Sequence, residues 1–237
     1  MQLYAPRSLK EPVFNIGCDH GKLTAVLAAS GRYPKVIGAD LRPGPLAKAE
    51  QTLEYAGCKD RAELRLGDGL SVLSPGEVST IVLAGVSAQT TWEIIEKAPW
   101  VSAPGGPRLV MVPATRHSDL RRWLWEHGFA LAADRPVQAA GRWYAVMAAE
   151  YTGEVKTPTF QECLFGLTGQ WPEEDLTLMQ SFLSQKFRPY NRSRRFFPYS
   201  LQNISDSCSA ALKLRSLQIF YLPVFYCYEN NHRPIGR

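Results

Sequence analysis

The most constraining feature of this chain is the segment 13–40, which reads VFNIGCDHGKLTAVLAASGRYPKVIGAD. An apolar run predicts a strand that ends in a glycine turn at residues 17–21, and a short helical pattern follows and ends at Gly31. The predicted apolar face of this helix consists of Leu23, Val26 and Leu27. A second apolar strand ends at Asp40, so the segment predicts a β-α-β unit with a carboxylate at the tip of its second strand. A carboxylate there can accept hydrogen bonds from the ribose hydroxyls of a bound nucleoside.

The glycine turn distinguishes between classes of nucleoside-binding protein. Its letters are N-I-G-C-D-H-G, which lack the G-x-G-x-x-G spacing of dinucleotide-binding proteins. The frame resembles acid-x-G-x-G-x-G, the first motif of class I S-adenosylmethionine-dependent methyltransferases, with Asn15 at the acidic position and Asp19 at the middle glycine. Glycine permits close approach of a ligand to the backbone because it has no Cβ. A generic α/β turn without a ligand is the alternative, and the position of Asp40 argues against it.

Strand and helix patterns alternate up to about residue 150, which predicts an open, doubly wound α/β sheet. Further strands are predicted at 64–66, 80–84 and 109–112, followed by a closing, antiparallel pair at 130–133 and 143–150. Further helices are predicted to run from Pro43 to Gly57, over about residues 90–97, and through residues 120–127. We therefore expect one domain at 1–152 and a C-terminal extension at 153–237, with a helix at 173–187 and a partly irregular end.

Composition sets broad limits on function. The net charge of +5 permits a polyanionic partner such as RNA without requiring one. The five cysteines are scattered and include no C-x-x-C pair, which argues against a disulfide framework and a structural zinc site and favours a cytoplasmic location. No signal peptide is evident, and the apolar segment 217–228 is too short to span a membrane. We expect neither a metal nor a membrane partner.

Candidate ligand contacts follow four predicted strands at the edge where their carboxyl ends meet. The predicted cofactor-binding residues are Gly17, Asp19, His20, Asp40, Leu41, Gly67, Asp68, Gly69 and Gly85. Asp68 between two glycines suits an acceptor for an adenine amino group, although G-D-G is also a common turn sequence. His20 is either a ligand contact or a turn residue. The sequence shows no arrangement of a nucleophile with a general base.

Several strings, in order, resemble one known family, the bacterial tRNA adenine-22 N1-methyltransferases. They are IGCDH at 16–20, GP at 44–45, RLGDGL at 65–70, AG at 84–85, R-x-W-L at 121–124 and G-x-W-Y-x-V at 141–146. The resemblance covers roughly residues 12–152. It implies a Rossmann-like class I methyltransferase domain followed by a helical C-terminal region, tRNA as substrate and S-adenosyl-L-methionine as methyl donor. By position it also implies that Gly17, Asp19, His20, Asp40, Asp68 and Gly85 line the cofactor site.

Two loops depart from this family's pattern. The loop after the fourth strand reads Gly85-Val86-Ser87-Ala88 where the family has G-M-G-G, and the fifth strand ends in Val112-Pro113-Ala114 where the family has a Q-P-N type motif. The bulkier first loop is expected to crowd the target base. A non-catalytic protein that binds S-adenosylmethionine or RNA therefore remains one alternative, and an NAD(P)-dependent oxidoreductase on a Rossmann sheet is another.

The implied chemistry needs few side chains, because adenine N1 has an in-plane lone pair that can attack a sulfonium methyl group directly. Alignment of the reacting atoms would supply most of the rate. Asp19 is the candidate for stabilising the cationic ring that forms, and Gly85 is the second catalytic candidate, in the loop that frames the base. The predicted RNA-binding residues are Arg116, Arg121 and Arg122 in one helix and Arg188, Arg194 and Arg195 in the segment KFRPYNRSRRFFPYS. For that segment, local packing of its aromatic residues with solvated charges is the alternative.

Overall fold

The computed structural model describes residues 11–167 of the chain. Its strands are β1 (Val13–Ile16), β2 (Val36–Asp40), β3 (Ala62–Leu66), β4 (Thr80–Ala84), β5 (Arg108–Val112), β6 (Phe129–Ala139) and β7 (Arg142–Tyr151). Its helices are α1 (Lys22–Ala29), α2 (Pro43–Tyr55), α3 (Ala88–Glu96), α4 (His117–Glu126) and α5 (Phe160–Phe165). The predicted helix at 173–187 and the basic, aromatic segment after it lie outside the described residues.

All seven strands belong to one sheet in the order β3-β2-β1-β4-β5-β7-β6. Strands β1 to β5 run parallel, and β7 lies antiparallel between β5 and β6. The predicted doubly wound sheet with an antiparallel closing pair is therefore confirmed. Because β1 pairs with both β2 and β4, the strand order reverses at β1, and a crevice is expected outside the carboxyl ends of these strands.

The central strands are buried on both faces, as their nearly continuous apolar sequences require. Phe14 and Ile81 contribute to the core on one side of the sheet, and Val13 and Val82 contribute to the core on the other. Their alternation follows from the two-residue period of a strand. The sheet is thus held between two apolar layers, and its carboxyl-terminal edge is left for the loops.

Helix α1 presents a different face to the sheet from the predicted one. Its buried residues are Thr24, Ala25, Leu27 and Ala28. Leu23 and Val26 are only half-buried. The physical reason is close packing, since a Cβ at Gly38 of β2 would lie 2.9 Å from Thr24 Oγ1. Small residues are needed where a helix approaches a strand this closely, so Thr24, Ala25 and Ala28 face inward together with Leu27.

The last part of the described chain is more ordered than its sequence indicates. Strands β6 and β7 extend beyond their predicted bounds to a two-residue turn at Ala140 and Gly141, both with positive φ, as a tight hairpin requires. Helix α5, which was not predicted, begins behind a capping box formed by Thr159 and Glu162. It packs against α4. No helix within residues 11–167 is long and apolar enough to cross a membrane.

Candidate functional site

A cavity of about 240 Å³ lies outside the carboxyl ends of β1, β2 and β3. It is lined by Ile16, Gly17, Ala39, Asp40, Leu41, Arg42, Gly67, Asp68, Gly69, Val86 and Ile94. A second cavity of about 180 Å³ shares Asp68, Gly69 and Ile94 with it. The two adjoining spaces together lie near the lower end of the roughly 300–1,000 Å³ of typical small-molecule sites.

The structure brings six of the predicted cofactor-binding residues together around this cavity. They are Gly17, Asp40, Leu41, Gly67, Asp68 and Gly69. The other three predicted residues, Asp19, His20 and Gly85, are not part of its lining. Their assignment to ligand binding stays a prediction.

Asp40 is held in one orientation by the loop backbones around it. The residue is only 8% exposed. Its Oδ2 accepts a hydrogen bond from the Asp19 backbone N–H at 3.1 Å, and its Oδ1 accepts one from the Arg42 backbone N–H at 3.0 Å. Each carboxylate oxygen has two lone-pair sites, so both oxygens keep capacity for one further donor. The carboxylate is therefore arranged to accept two hydroxyl groups of a ligand in the cavity.

The glycines of the first loop have two different roles. Gly17 has a φ of 62°, and a Cβ built there would meet nothing within 4 Å, so its bare backbone faces open space. Gly21 has a φ of 72°, and a Cβ there would lie 2.7 Å from the Cα of Ala49 in α2. Gly17 thus leaves room for a ligand, whereas Gly21 allows the loop to pack against α2.

Asp19 and His20 form the outer part of the same loop. Asp19 has a φ of 47°, uncommon for a residue other than glycine, at the position where the motif's frame has a glycine. Its Oδ1 lies 3.8 Å from His20 Nε2, and both side chains are about half exposed. The carbonyl of His20 accepts a hydrogen bond from Thr52 Oγ1 at 2.7 Å, which ties the loop to α2. The backbone of His20 therefore has a structural role whatever its side chain binds.

Asn15, at the acidic position of the motif, is buried and donates a hydrogen bond to Thr24 Oγ1 at 3.0 Å. It therefore joins β1 to α1.

The neighbouring Cys18 thiol is also buried. Burial raises its pKa to about 12, and the negative charge of Asp40 adds to the effect. The thiol is consequently protonated at neutral pH and is a poor nucleophile.

The loop after β3 is braced by an arginine whose role the sequence did not indicate. Arg65 Nη1 donates to the carbonyl of Val72 at 2.8 Å, and its two Nη atoms also bind the carboxylate of Glu77. A Cβ at Gly67 would lie only 2.3 Å from Val72 Cγ1, so the loop is tightly packed. Asp68 at its tip is solvent-accessible and forms an ion pair with Lys97 at 3.1 Å. The one feature of the sequence that could have identified Arg65 was its place in the RLGDGL string.

Lining residues missed by the sequence are Ile16, Ala39, Arg42 and Ile94, whereas Val86 was expected at the site of the base. The first three are adjacent in sequence to predicted site residues, so proximity could have found them. Ile94 lies in α3 and reaches the cavity only through the packing of that helix. Leu41, which was predicted, lies at the rim of the cavity with its side chain 66% exposed.

The loops after β4 and β5 are joined by three backbone hydrogen bonds. They run from Gly85 N to Val112 O, from Ala114 N to Val86 O, and from Ala88 N to Thr115 O, at 3.0, 2.8 and 3.4 Å. The two loops therefore form one hydrogen-bonded rim, and its residue Val86 lines the cavity.

The expectation that Val86, Ser87 and Ala88 all crowd a base is wrong for Ala88 and stays a prediction for the other two. Ala88 is fully buried in the apolar core, so its methyl group cannot face a ligand. Ser87 is the N-cap of α3, and its Oγ accepts the Thr90 N–H at 3.0 Å. Only Val86 of the three lines the cavity.

The predicted RNA-binding arginines in and directly before α4 divide into two kinds. Arg116 and Arg122 are exposed. Arg121 is 3% exposed and forms a two-point ion pair with Asp134 of β6, so the prediction that it contacts RNA is wrong. It is instead an internal brace, because adjacent residues on a helix face different directions. The remaining predicted residues, Arg188, Arg194 and Arg195, lie outside the described residues.

Among residues 11–167, no three His, Cys, Asp or Glu side chains are grouped as ligands for a metal ion.

A reversal of strand order beside a glycine loop and an oriented carboxylate, in a sheet with β7 antiparallel, defines a nucleoside-binding protein of the methyltransferase kind. Residues 7–147 match the family described as "Methyltransferase domain", and the chain belongs to this family.

Individual proteins that resemble the chain give more specific similarities than the family does. The chain is 29% identical over 136 residues to the tRNA (adenine(22)-N(1))-methyltransferase of Bacillus subtilis (strain 168), and the match spans 57% of each protein. Streptococcus pneumoniae Sp1610 in complex with S-adenosyl-L-methionine has a TM-score of 0.63 at 23% identity, covering 86% of this chain and 92% of that one. The B. subtilis m1A22 tRNA methyltransferase TrmK has a TM-score of 0.61 at 22% identity, covering 88% of this chain and 97% of that one. These two structures share the fold.

Proposed function

We propose that this protein is an S-adenosyl-L-methionine-dependent methyltransferase that modifies N1 of an adenine in tRNA, adenine 22 by resemblance. The observation that carries the proposal is Asp40, a nearly buried carboxylate that is fixed by two backbone N–H groups and yet lines the cavity. Membership of the methyltransferase family supports the reaction class. The B. subtilis relative, a tRNA (adenine(22)-N(1))-methyltransferase, supports the substrate.

The residues around the cavity fit this cofactor. Asp40 would accept both ribose hydroxyls, and the exposed face of Leu41 would pack against the adenine ring. Asp68 would accept the adenine amino group, which requires its carboxylate to be shared with or released by Lys97. Gly17 would leave space for the rest of the molecule, since no atom lies within 4 Å of its missing Cβ.

Bound S-adenosylmethionine would supply an activated methyl group that the N1 lone pair can attack without prior deprotonation. N1 lies on the Watson–Crick edge, so the target base must be unpaired or flipped out of its stack. The joined loops after β4 and β5, beginning at Gly85, would frame the base and hold it in line. Asp19, with its exposed carboxylate, is the proposed stabiliser of the positive charge that develops on the ring.

RNA would be bound chiefly through phosphates. The proposed contacts are the exposed Arg116, just before α4, the exposed Arg122 within it, and the basic segment with Arg188, Arg194 and Arg195. The net charge of +5 supports a polyanionic substrate. The scattered cysteines support a cytoplasmic location, which we include in the proposal.

A non-catalytic protein that binds S-adenosylmethionine or RNA is the second candidate. One observation favours it: Ala114, which stands where the resembling family has the Asn of its Q-P-N type motif, is exposed on the rim and has no side-chain amide to bind a base. Membership of the methyltransferase family argues against the oxidoreductase alternative.

Calorimetry with S-adenosylmethionine tests the cofactor assignment. We expect Asp40→Ala to weaken binding by one to two decades, because losing a charged hydrogen-bond partner costs about 1.5–3 kcal/mol. Asp60→Ala is the matched control, since Asp60 is an exposed carboxylate in the turn before β3. Equal affinity of the Asp40 variant and the wild type would remove Asp40 from the site.

Mass spectrometry of tRNA nucleosides tests the reaction. Incubation of the full chain with tRNA and labelled S-adenosylmethionine should yield labelled 1-methyladenosine. Cofactor binding without any labelled nucleoside would favour the non-catalytic candidate, and a label on another base would refute the adenine assignment.

A further inference from the structure

Arg116 adopts an unusual backbone conformation at the edge of the sheet where the cavity lies. It is the N-cap of α4, with φ 58° and ψ 43° in the left-handed region. Such a conformation is strained for a residue with a side chain, and it persists only where surrounding contacts hold it. Strained residues of this kind concentrate at binding sites, so the contacts of Arg116 require an explanation.

Those contacts hold the guanidinium group over an aromatic ring. Its central carbon lies 5.5 Å from the centroid of the Trp92 ring. Nε donates to Asp119 Oδ2 at 2.6 Å, and Nη1 donates to Gln89 Oε1 at 3.4 Å. The side chain nevertheless remains 52% exposed. The guanidinium is therefore fixed on one side by the indole and along its edges by polar partners, while about half of the side chain faces solvent.

The aromatic ring beneath is itself supported from the core. Trp92 stacks on Trp123 with centroids 6.5 Å apart and an angle of 19° between the planes. Trp123 in turn stacks against Phe129 and His127. This chain of rings makes the surface under the guanidinium rigid, so little conformational entropy would be lost when a ligand packs on it.

The position of this platform relates it to the substrate. Gln89 follows Val86, which lines the cavity, by three residues. The residue before Arg116, Thr115, accepts a hydrogen bond from the backbone of Ala88 at 3.4 Å. Arg116 and Gln89 thus extend the same joined rim that would frame the target base.

We propose that Arg116, supported by Trp92, is a stacking platform for an unpaired nucleobase of the RNA substrate next to the target adenine; this inference rests on the proposed function. Guanidinium planes and aromatic rings are the surfaces on which proteins stack unpaired bases. A base that presents N1 must leave its pairing, and its neighbours then need a surface to replace the lost stacking. A plain phosphate contact would need neither the fixed plane nor the ring beneath it.

The test compares a single-stranded oligoadenylate of twelve nucleotides with an abasic oligomer of the same backbone length, using the full chain. Arg116→Lys keeps the charge and removes the plane. We expect it to bind the oligoadenylate roughly tenfold more weakly, the magnitude of one base–side-chain stack, and to bind the abasic oligomer as the wild type does. Arg61→Lys is the matched control, because Arg61 is exposed before β3 at the opposite edge of the sheet and should change neither affinity.

Three results would overturn the proposal: unchanged oligoadenylate affinity in Arg116→Lys, equal weakening towards both oligomers, or no binding of oligoadenylate by the wild type. The Tm of each variant shows whether it is folded, and Arg116→Ala provides a second variant that should lose affinity for both oligomers. The proposed function is judged separately by labelled 1-methyladenosine from the wild type. On tRNA, Arg116→Lys should raise KM and leave kcat unchanged, since the platform positions a neighbouring base.

Discussion

Arg121→Ala distinguishes an internal brace from an RNA contact. Its Nε and Nη2 donate to the two carboxylate oxygens of Asp134 at 2.6 and 3.0 Å, and its Nη1 donates to the carbonyls of Cys163 and Leu164 at 3.1 and 3.0 Å. The Asp134 side chain is fully buried. Truncation would remove the guanidinium that binds this buried carboxylate and the two carbonyls, and breaking a buried pair in this way costs about 3–5 kcal/mol. For a domain of this size that corresponds to a fall in Tm of roughly 6–20 °C.

Thermal unfolding by circular dichroism measures this effect. The paired variant Arg121→Met with Asp134→Leu should recover most of the lost Tm, because it removes both charges and restores apolar packing. In tRNA binding below the Tm, Arg121→Ala should leave the slope of log affinity against log salt unchanged. The neighbouring Arg122→Ala should lower that slope by about 0.9, as expected for one phosphate contact. An unchanged Tm with a lower salt slope in Arg121→Ala would refute the assignment of Arg121 as a brace.

Two further predictions concern the loop before α1 and the acid side of the stability curve. Gly21→Ala should destabilise the fold in urea by more than Gly57→Ala, because both glycines have positive φ but only a Cβ at Gly21 would meet Ala49, at 2.7 Å; equal losses would disprove the clash. Hydrogen bonds from Arg65 and Lys35 hold the pKa of Glu63 at about 2 in the folded protein, below its ordinary value of 4.5. Its stabilising contribution is therefore present above pH 4.5 and lost as the pH falls towards 2. Glu63→Gln should flatten the decline of Tm in that window, and an unaltered decline would show that the ion pair is immaterial.

The glycine loop shows how much of the site could be predicted. Gly17 and Asp40 were identified from the segment 13–40 alone, because strand ends, turns and helix starts are encoded by neighbouring residues. The structure places both in the cavity lining together with Asp68, which comes later in the chain but lies at the same edge of the sheet. Parallel strands brought these three loops together, and alternating strand and helix patterns were sufficient to predict that.

Residues whose role depends on a distant partner could not be assigned in this way. Arg121 and Arg122 are adjacent and chemically identical, and only the packing of α4 against β6 places one beside Asp134 and the other in solvent. The same limitation explains why Ala88 was wrongly expected at the base site. Its burial depends on the packing of α3, which the local sequence does not show. Arg65 was part of a matched string, but its partner Glu77 is twelve residues away.

Short segments of the chain were sufficient to predict the order of strands and helices up to β7, the glycine turn and the carboxylate that ends β2, because backbone conformation and hydrophobic periodicity are local properties. The side of each helix that is covered, the pairing of charges and the side chains that line the cavity depend on how the elements pack together. Burial of a side chain is set by the surface that packs against it, and that surface comes from residues far away in the chain. The platform of Arg116 on Trp92 belongs to this second kind, since twenty-four positions separate two side chains that lie in contact.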